Sequence, residues 1–179
     1  MAKLKVFVAR KIPDEGIKLL KKAGLNVEFN NDAEKILSKQ ELIEKLRGKD
    51  ALLCLLTDKI DKEVLSSSNL KIIANYAVGF DNIDIKTATE KGIIVTNTPD
   101  VLTETVAEHT FALIMASARR IVEADKFTRQ GKYKDWGPML LLGQDLKGKT
   151  LGIIGLGRIG MAVAQRAVKG MGMKVIYNN

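Results

Sequence analysis

At 179 residues the chain is long enough for one large domain, or for one domain and part of a second, and its 46% apolar content is that of a globular protein. No apolar stretch approaches the roughly 18 residues of a membrane span, and residues 1–12 alternate Lys and Arg with short apolar runs, a pattern that indicates no signal peptide. The formal net charge of +8 is scattered among acidic residues, as in Lys35 to Glu41, with no basic block interleaved with aromatics, so it reads as solvated surface and argues against nucleic-acid or membrane partners.

Strand-like and helix-like segments alternate from the start. Leu4–Ala9 is a short β-type run, and residues 13–24 carry Pro and acids at one end and Gly24 at the other, the start and stop signals of a helix. Asn26–Phe29 reads as a strand. Residues 38–46 form a helix with Ser38 as N-cap and Glu41 completing a capping box. Ala51–Leu56 is an apolar strand of buried type; it contains Cys54, the single cysteine, which excludes an intramolecular disulfide and is expected to be a buried, inert thiol in a cytoplasmic protein. Leu70–Asn75 is a further strand, Asp84–Lys91 a short helix closed by Gly92, and Ile93–Asn97 a fifth strand. Five strands with intervening helices imply a parallel, doubly wound α/β sheet.

Thr98-Pro99-Asp100 breaks this rhythm and marks a domain boundary, dividing residues 1–99 from 100–179. One long helix is expected from Thr103 through Arg120 towards Gln130. Its apolar set of Val106, Phe111, Leu113, Ile114 and Met115 is broader than one stripe, which predicts that much of it is buried. A loop with Trp136 follows, then strand Thr150–Ile154, a glycine turn, a helix over Met161–Val168 and strand Lys174–Tyr177.

That turn, Gly155-Leu156-Gly157-Arg158-Ile159-Gly160, is a G-x-G-x-x-G placed between a strand and a helix. The first glycine turns tightly off the strand, the second lets backbone approach a pyrophosphate, and the third allows helix to pack on strand. The strand, turn, helix and strand context favours a dinucleotide site over a structural tight turn or a methyl-donor cofactor site.

Four spaced segments together carry a family resemblance: Asn75-Tyr76-Ala77-Val78-Gly79-Phe80-Asp81-Asn82-Ile83-Asp84, Thr96-Asn97-Thr98-Pro99, Val106-Ala107-Glu108-His109, and Leu146 to Gly160. In this order they resemble the D-isomer-specific 2-hydroxyacid dehydrogenases. The chain looks most similar to the glyoxylate/hydroxypyruvate reductase branch, also through Leu52 to Asp58 and Pro99 to Thr103. The resemblance covers essentially the whole chain. It implies a flavodoxin-like substrate-binding domain at 1–99, followed at 100–179 by the first βαβ unit of a Rossmann domain, so that the chain looks like the N-terminal half of a family member.

The resemblance also implies site residues. Backbone N–H groups at Val78 and Gly79 match the positions that hold a substrate carboxylate, although the same stretch also reads as a plain turn between strand and helix. Leu56 matches a position lining the substrate pocket, where a strand-end apolar residue is core by default, and Val106 a cofactor-facing position that periodicity alone places in the core. Gly155, Leu156, Gly157, Arg158, Ile159 and Gly160 match the pyrophosphate turn. Asn179 matches the residue facing the adenosine ribose; NAD enzymes place Asp or Glu there, so a neutral Asn favours NADP over NAD. Met161–Met171 is one residue longer than the family spacing, which implies a disturbed entry into the last strand.

His109, the only histidine, belongs to the helix motif and matches no catalytic position; Glu108, Arg119, Arg120 and Arg158 likewise match helix or turn positions. The family's catalytic arginine, glutamate and histidine have no counterpart in these residues. The expectation is therefore an NAD(P)H-dependent reductase of a small 2-oxo acid, truncated before its catalytic residues and inactive alone, and homodimeric through the long helix and the Trp136 region. The alternative is a non-enzymatic, corepressor-like binding module on the same fold.

Overall fold

The computed structural model describes residues 3–32 and 34–179. The chain divides into two compact units, Met1–Pro99 and Asp100–Asn179. In the first, β1 (Lys5–Val8), α1 (Asp14–Lys22), β2 (Asn26–Phe29), α2 (Lys39–Leu46), β3 (Ala51–Cys54), α3 (Lys62–Ser66), β4 (Ile72–Asn75), α4 (Ile85–Glu90) and β5 (Ile94–Thr96) follow one another. The five strands are parallel in the order β2-β1-β3-β4-β5, a flavodoxin-like doubly wound sheet whose order reverses between β1 and β3.

Alternation along the strands sends side chains to two cores. Phe7, Leu52, Cys54 and Ile73 meet Leu42 and Leu46 of α2, Val64 and Leu65 of α3 and Ala88 of α4 on one face. Val6 and Val8 meet Ile12 and Ile17 on the other, with Leu20, Val27 and Leu53 packed around them. Both faces of β1 are thus covered, which is why Val6, Phe7 and Val8 form a continuous apolar run with no polar alternation. The capping box expected at Ser38 and Glu41 is formed. α3 has no counterpart in the sequence reading: five residues are too few to display helical periodicity, and its signal is Asp61, whose carboxylate accepts from the N–H groups of Glu63 and Val64.

The second unit contains α5 (Thr103–Ala118), α6 (Ile121–Arg129), β6 (Thr150–Ile154), α7 (Arg158–Met171) and β7 (Lys174–Asn178). β6 and β7 pair in parallel, in register from Thr150 opposite Lys174 to Ile154 opposite Asn178. Several expectations for this unit require correction. The long helix is not continuous: Arg120 takes a left-handed conformation at φ 54° and separates α5 from α6. The cause is the returning segment around Gly143. Gln144 N–H donates to the Ala118 carbonyl at 2.7 Å, taking the acceptor that a continuing helix would offer to residue 122, and Arg119 pairs with Asp145 at 2.8 Å. A Cβ on Gly143 would sit 2.5 Å from that same carbonyl oxygen, so only glycine fits there.

Nor is α5 largely buried. Ala107 is its one fully buried residue, packing with Phe111 against Ala162 and Val163 of α7, whereas Leu113 is 58% exposed. A broad apolar surface meets a single narrow partner, since α7 covers only one stripe of α5 in this unit. The helix α7 begins at Arg158, ahead of the expected Met161, and its extra length causes no disturbance. Gly172 caps it in the left-handed region at φ 61°, with Gly172 N–H on Val168 O and Met173 N–H on Ala167 O, so the chain enters β7 directly.

Two predictions concern the first unit. Lys35, at 2.6 Å, and the N–H and hydroxyl of Ser38 hold the Glu41 carboxyl at about 2, below its ordinary 4.5. The folded value is depressed, so this stabilisation is complete above pH 4.5 and is lost as pH falls towards 2. Urea titrations at pH 7 and pH 2.5 are therefore expected to show Glu41→Gln less stable than wild type at the higher pH, with the gap much narrowed at the lower. An equal gap at both values would remove the carboxylate from the account. Burial, then the Asp58 charge, push the Cys54 thiol up to about 12, and its Sγ donates to Asn75 Oδ1 at 3.4 Å. A thiol reagent at pH 8 is expected to label Cys54 only at the rate of unfolding, and prompt stoichiometric labelling of native protein would contradict this.

Candidate functional site

Two groups of residues stand out, one in each unit. In the first unit the carboxyl ends of β3, β4 and β5 carry loops tied down by buried and partly buried polar side chains. Asp58, 4% exposed, accepts from Leu55 N–H at 2.8 Å and from the Arg10 guanidinium at 3.5 Å, while Arg10 also donates to Thr57 Oγ1 at 2.6 Å. Arg10 thereby joins the end of β1 to the loop after β3, at the point where strand order reverses. Asn82 Nδ2 donates to the Leu55 and Asp58 carbonyls, both at 3.1 Å. Leu56 projects from this fixed turn and is 65% exposed, so it is not the core residue that a strand end implies by default.

The loop after β4 is held in the same manner. Asn75, 2% exposed, donates from Nδ2 to the Gly79 carbonyl at 2.8 Å and to Asn82 Oδ1 at 3.1 Å, and Asn82 returns a bond to Asn75 Oδ1 at 3.3 Å. Asn97 Nδ2 donates to the Val78 carbonyl at 2.8 Å, and Thr98 N–H to the Ala77 carbonyl at 2.9 Å. Among the described residues no protein acceptor meets the N–H of Val78 or of Gly79. Gly79 has no left-handed φ to require it, and a Cβ built there meets nothing nearer than Asp81 Oδ2 at 3.9 Å. Glycine here leaves open space in front of the backbone.

In the second unit the glycine turn divides its work between three positions. Gly155 turns off β6 at φ 89°, a conformation L-residues rarely adopt, and its N–H bonds to Asn178 O at 2.7 Å. Gly157, the N-cap of α7, has an ordinary extended conformation and nothing within 4 Å of a built Cβ. Gly160 is packed so tightly that a Cβ would collide with the Gly155 carbonyl oxygen. No side chain caps α7, so its first N–H groups, at Arg158, Ile159 and Gly160, are left to an external acceptor. Arg158 stands at this terminus and pairs through Nε with Asp100 at 2.9 Å. The Leu156 N–H is already taken: it donates to Asn179 Oδ1 at 2.6 Å, which fastens the turn to the end of β7.

The remaining candidates lie on α5 and the loop after α6. Val106 is 37% exposed, not the core residue periodicity implied, and His109 is exposed and makes no ion pair among the described residues. Glu104 and Glu108 instead face Arg166 of α7, at 2.6 and 3.9 Å. Trp136 is 76% exposed. No group of three or more metal-ligating side chains occurs among the described residues, and no helix there is long and apolar enough to cross a membrane. Asn75, Asn82 and Asn97 escaped the sequence reading as functional residues. For Asn75 and Asn97 the signal that could have found them is their position at the carboxyl ends of parallel strands, where a side-chain amide can bond to loop backbone, whereas Asn82 lies within the loop itself.

Comparison with known proteins gives the family. The model of the D-isomer specific 2-hydroxyacid dehydrogenase catalytic domain matches residues 6–179. A glyoxylate reductase of Thermococcus litoralis is 56% identical over 180 residues, which cover 98% of this chain and 54% of that protein. Among solved structures, the TT0316 protein of Thermus thermophilus superposes with a TM-score of 0.90 at 46% identity, covering 97% of this chain and 55% of that one. An acyclic imino acid reductase (Bsp5) in complex with NADPH and D-Arg gives 0.84 at 31% identity, covering 98% and 56%. The D-lactate dehydrogenase of Aquifex aeolicus, complexed with NAD and lactic acid, gives 0.79 at 30% identity, covering 98% and 51%. The chain spans about half the length of the curated relatives it matches. With the matched fold, the open loop of Val78 and Gly79 and the three-part glycine turn, the chain belongs to the D-isomer-specific 2-hydroxyacid dehydrogenase family.

Proposed function

We propose that this chain supplies the 2-oxo-acid-binding domain, residues 1–99, and the first part of the nicotinamide-dinucleotide domain, residues 100–179, for NAD(P)H-dependent reduction of glyoxylate or hydroxypyruvate. The observation that carries this reading is the turn of Gly155, Gly157 and Gly160. Its three glycines meet three different constraints, and only the open space at Gly157 has no explanation within the protein. A pyrophosphate against the uncapped N–H groups of α7 accounts for it, and Arg158 adds a positive charge there. When bound, the cofactor supplies the hydride. The chain's own part is to orient the acid: the Val78 and Gly79 N–H groups receive its carboxylate, in space that a side chain at 79 would fill. Leu56, exposed beside that loop system, and Val106, exposed on α5, are assigned to substrate and cofactor contact respectively.

Cofactor preference follows from Asn179. Its carbonyl oxygen is committed to Leu156 N–H, which leaves the amide NH2 as the free end, a donor suited to a phosphate oxygen. The side chain here is no carboxylate to repel a 2′-phosphate, so NADPH is favoured over NADH. Association of two copies is assigned to α5, where Leu113 is exposed, and to the exposed Trp136 region, with a cytoplasmic enzyme as the context. An acid–base histidine needs a partner that orients it, and His109 has no carboxylate ion pair among the described residues. The 179-residue chain by itself is therefore expected to bind without turnover.

Three outcomes check this reading. Calorimetric titration of the purified chain is expected to show NADPH bound more tightly than NADH; equal affinities, or tighter NADH, would reverse the preference. Gly157→Ala should leave the thermal midpoint within about 2 °C of wild type yet weaken NADPH at least about tenfold, whereas Gly160→Ala should destabilise the fold by about 1–3 kcal/mol. Identical behaviour of the two would rule out the pyrophosphate as the reason for the opening. Gly79→Ala is expected to spare stability and abolish glyoxylate binding, and retained binding would withdraw the carboxylate assignment.

A further inference from the structure

We infer that Asn75 and Asn97, together with the N–H of Thr98, are positioning groups that turn three successive peptide units so that the N–H groups of Val78, Gly79 and Phe80 are all presented to an anion. The inference rests on the reading of this loop as the carboxylate site and adds to it a third donor and the side chains that set all three.

The geometry of the peptide bond is enough to orient these groups. In a planar trans unit the carbonyl of one residue and the N–H of the next point in opposite directions, and among the described residues every peptide is trans. The Ala77 carbonyl is held by Thr98 N–H at 2.9 Å, so the Val78 N–H is turned away from β5. The Val78 carbonyl is held by Asn97 Nδ2 at 2.8 Å, which directs the Gly79 N–H outward in turn. The Gly79 carbonyl is held by Asn75 Nδ2 at 2.8 Å, and this fixes the Phe80 N–H. In an extended strand such groups would alternate between two sides; here three consecutive carbonyls are all satisfied from within the unit. Among the described residues none of the three N–H groups meets a protein acceptor.

The anchors differ in strength. Asn75 is buried, and its amide is locked by Asn82 and by the Cys54 thiol, so it cannot rotate to release Gly79. Asn97 is partly exposed at the end of β5 and has one bond, to Val78. Asn97 is therefore the residue whose replacement frees a peptide without opening the core. Asp81 is the carboxylate nearest to Gly79 and opposes anion binding, which leaves recognition to the three amides.

The test uses the full 179-residue chain labelled with 15N, and two NMR readouts. The first is amide–water exchange without ligand, expected to be fast at Val78, Gly79 and Phe80. The second is titration with glyoxylate, expected to shift all three resonances along one binding curve. In Asn97→Asp, and in Asn97→Ala as a second variant, the Gly79 amide is expected to lose its defined shift, and glyoxylate to bind about tenfold more weakly with the thermal midpoint preserved. Asp81→Asn is expected to tighten binding. Slow exchange at Phe80, shifts confined to Val78 and Gly79, or unchanged binding in both Asn97 variants would overturn the positioning roles while leaving the carboxylate site intact. Fast exchange at all three amides with no response to glyoxylate would instead overturn the carboxylate site, and with it the anion role inferred here.

Discussion

A parallel sheet ends in backbone groups that its own ladder cannot satisfy, and the first unit depends on how this is solved at the carboxyl ends of β3, β4 and β5. Water would satisfy the loops but leave them mobile. Instead Asn75 and Asn97 at the strand ends, and Asp58 and Asn82 within the loops, hold specific carbonyls and N–H groups. Burying a polar side chain such as Asn75 or Asp58 is costly unless it is fully bonded, and Asn75 is paired with the partly buried Asn82 as well as with the backbone. What results is a rim in which some backbone groups are consumed and others are left over. The leftover N–H groups are the ones available to an anion.

Glycine serves the second unit by the same logic of space. The three glycines of the turn are alike in sequence but not in function: one meets a backbone torsion, one a helix against a strand, and one an opening. A torsion or a close contact is explained by the protein itself, whereas an opening is explained only by what enters it. The uncapped start of α7 is the complementary feature, since a helix that caps its own N-terminus has no unsatisfied N–H groups to offer. Asn179 links the two ends of this βαβ unit, and by tying Leu156 it sets the shape of the turn before any ligand arrives.

The two units differ in how much apolar surface they cover. The first places helices on both faces of a five-stranded sheet, so its central strands are buried twice over. The second sets one two-stranded ladder and α7 against α5, and leaves Ile154, Leu113 and Tyr177 well exposed. Burial in each unit scales with the number of elements available to pack, not with the apolarity of the segment, and this is why the pattern of α5 overstated its burial.

Period and punctuation alone determined much of this protein. The strands of the first unit, the capping box at Ser38 and Glu41, the break at Pro99 and the strand–turn–helix of the glycine motif are local, governed by contacts a few residues apart. The order of the motifs carried the family. Tertiary structure alone decided the rest, because the groups involved meet across long stretches of chain. Asn97 reaches Val78, Asn82 reaches Leu55, and Asn179 reaches Leu156, pairings that no local pattern encodes. The capture of the Ala118 carbonyl by Gln144 split a helix whose sequence is continuous, and the scarcity of packing partners left Val106 and Leu113 exposed. Local propensity set which segments are helix and strand; the placement of donors at strand ends set which backbone groups remain free to bind.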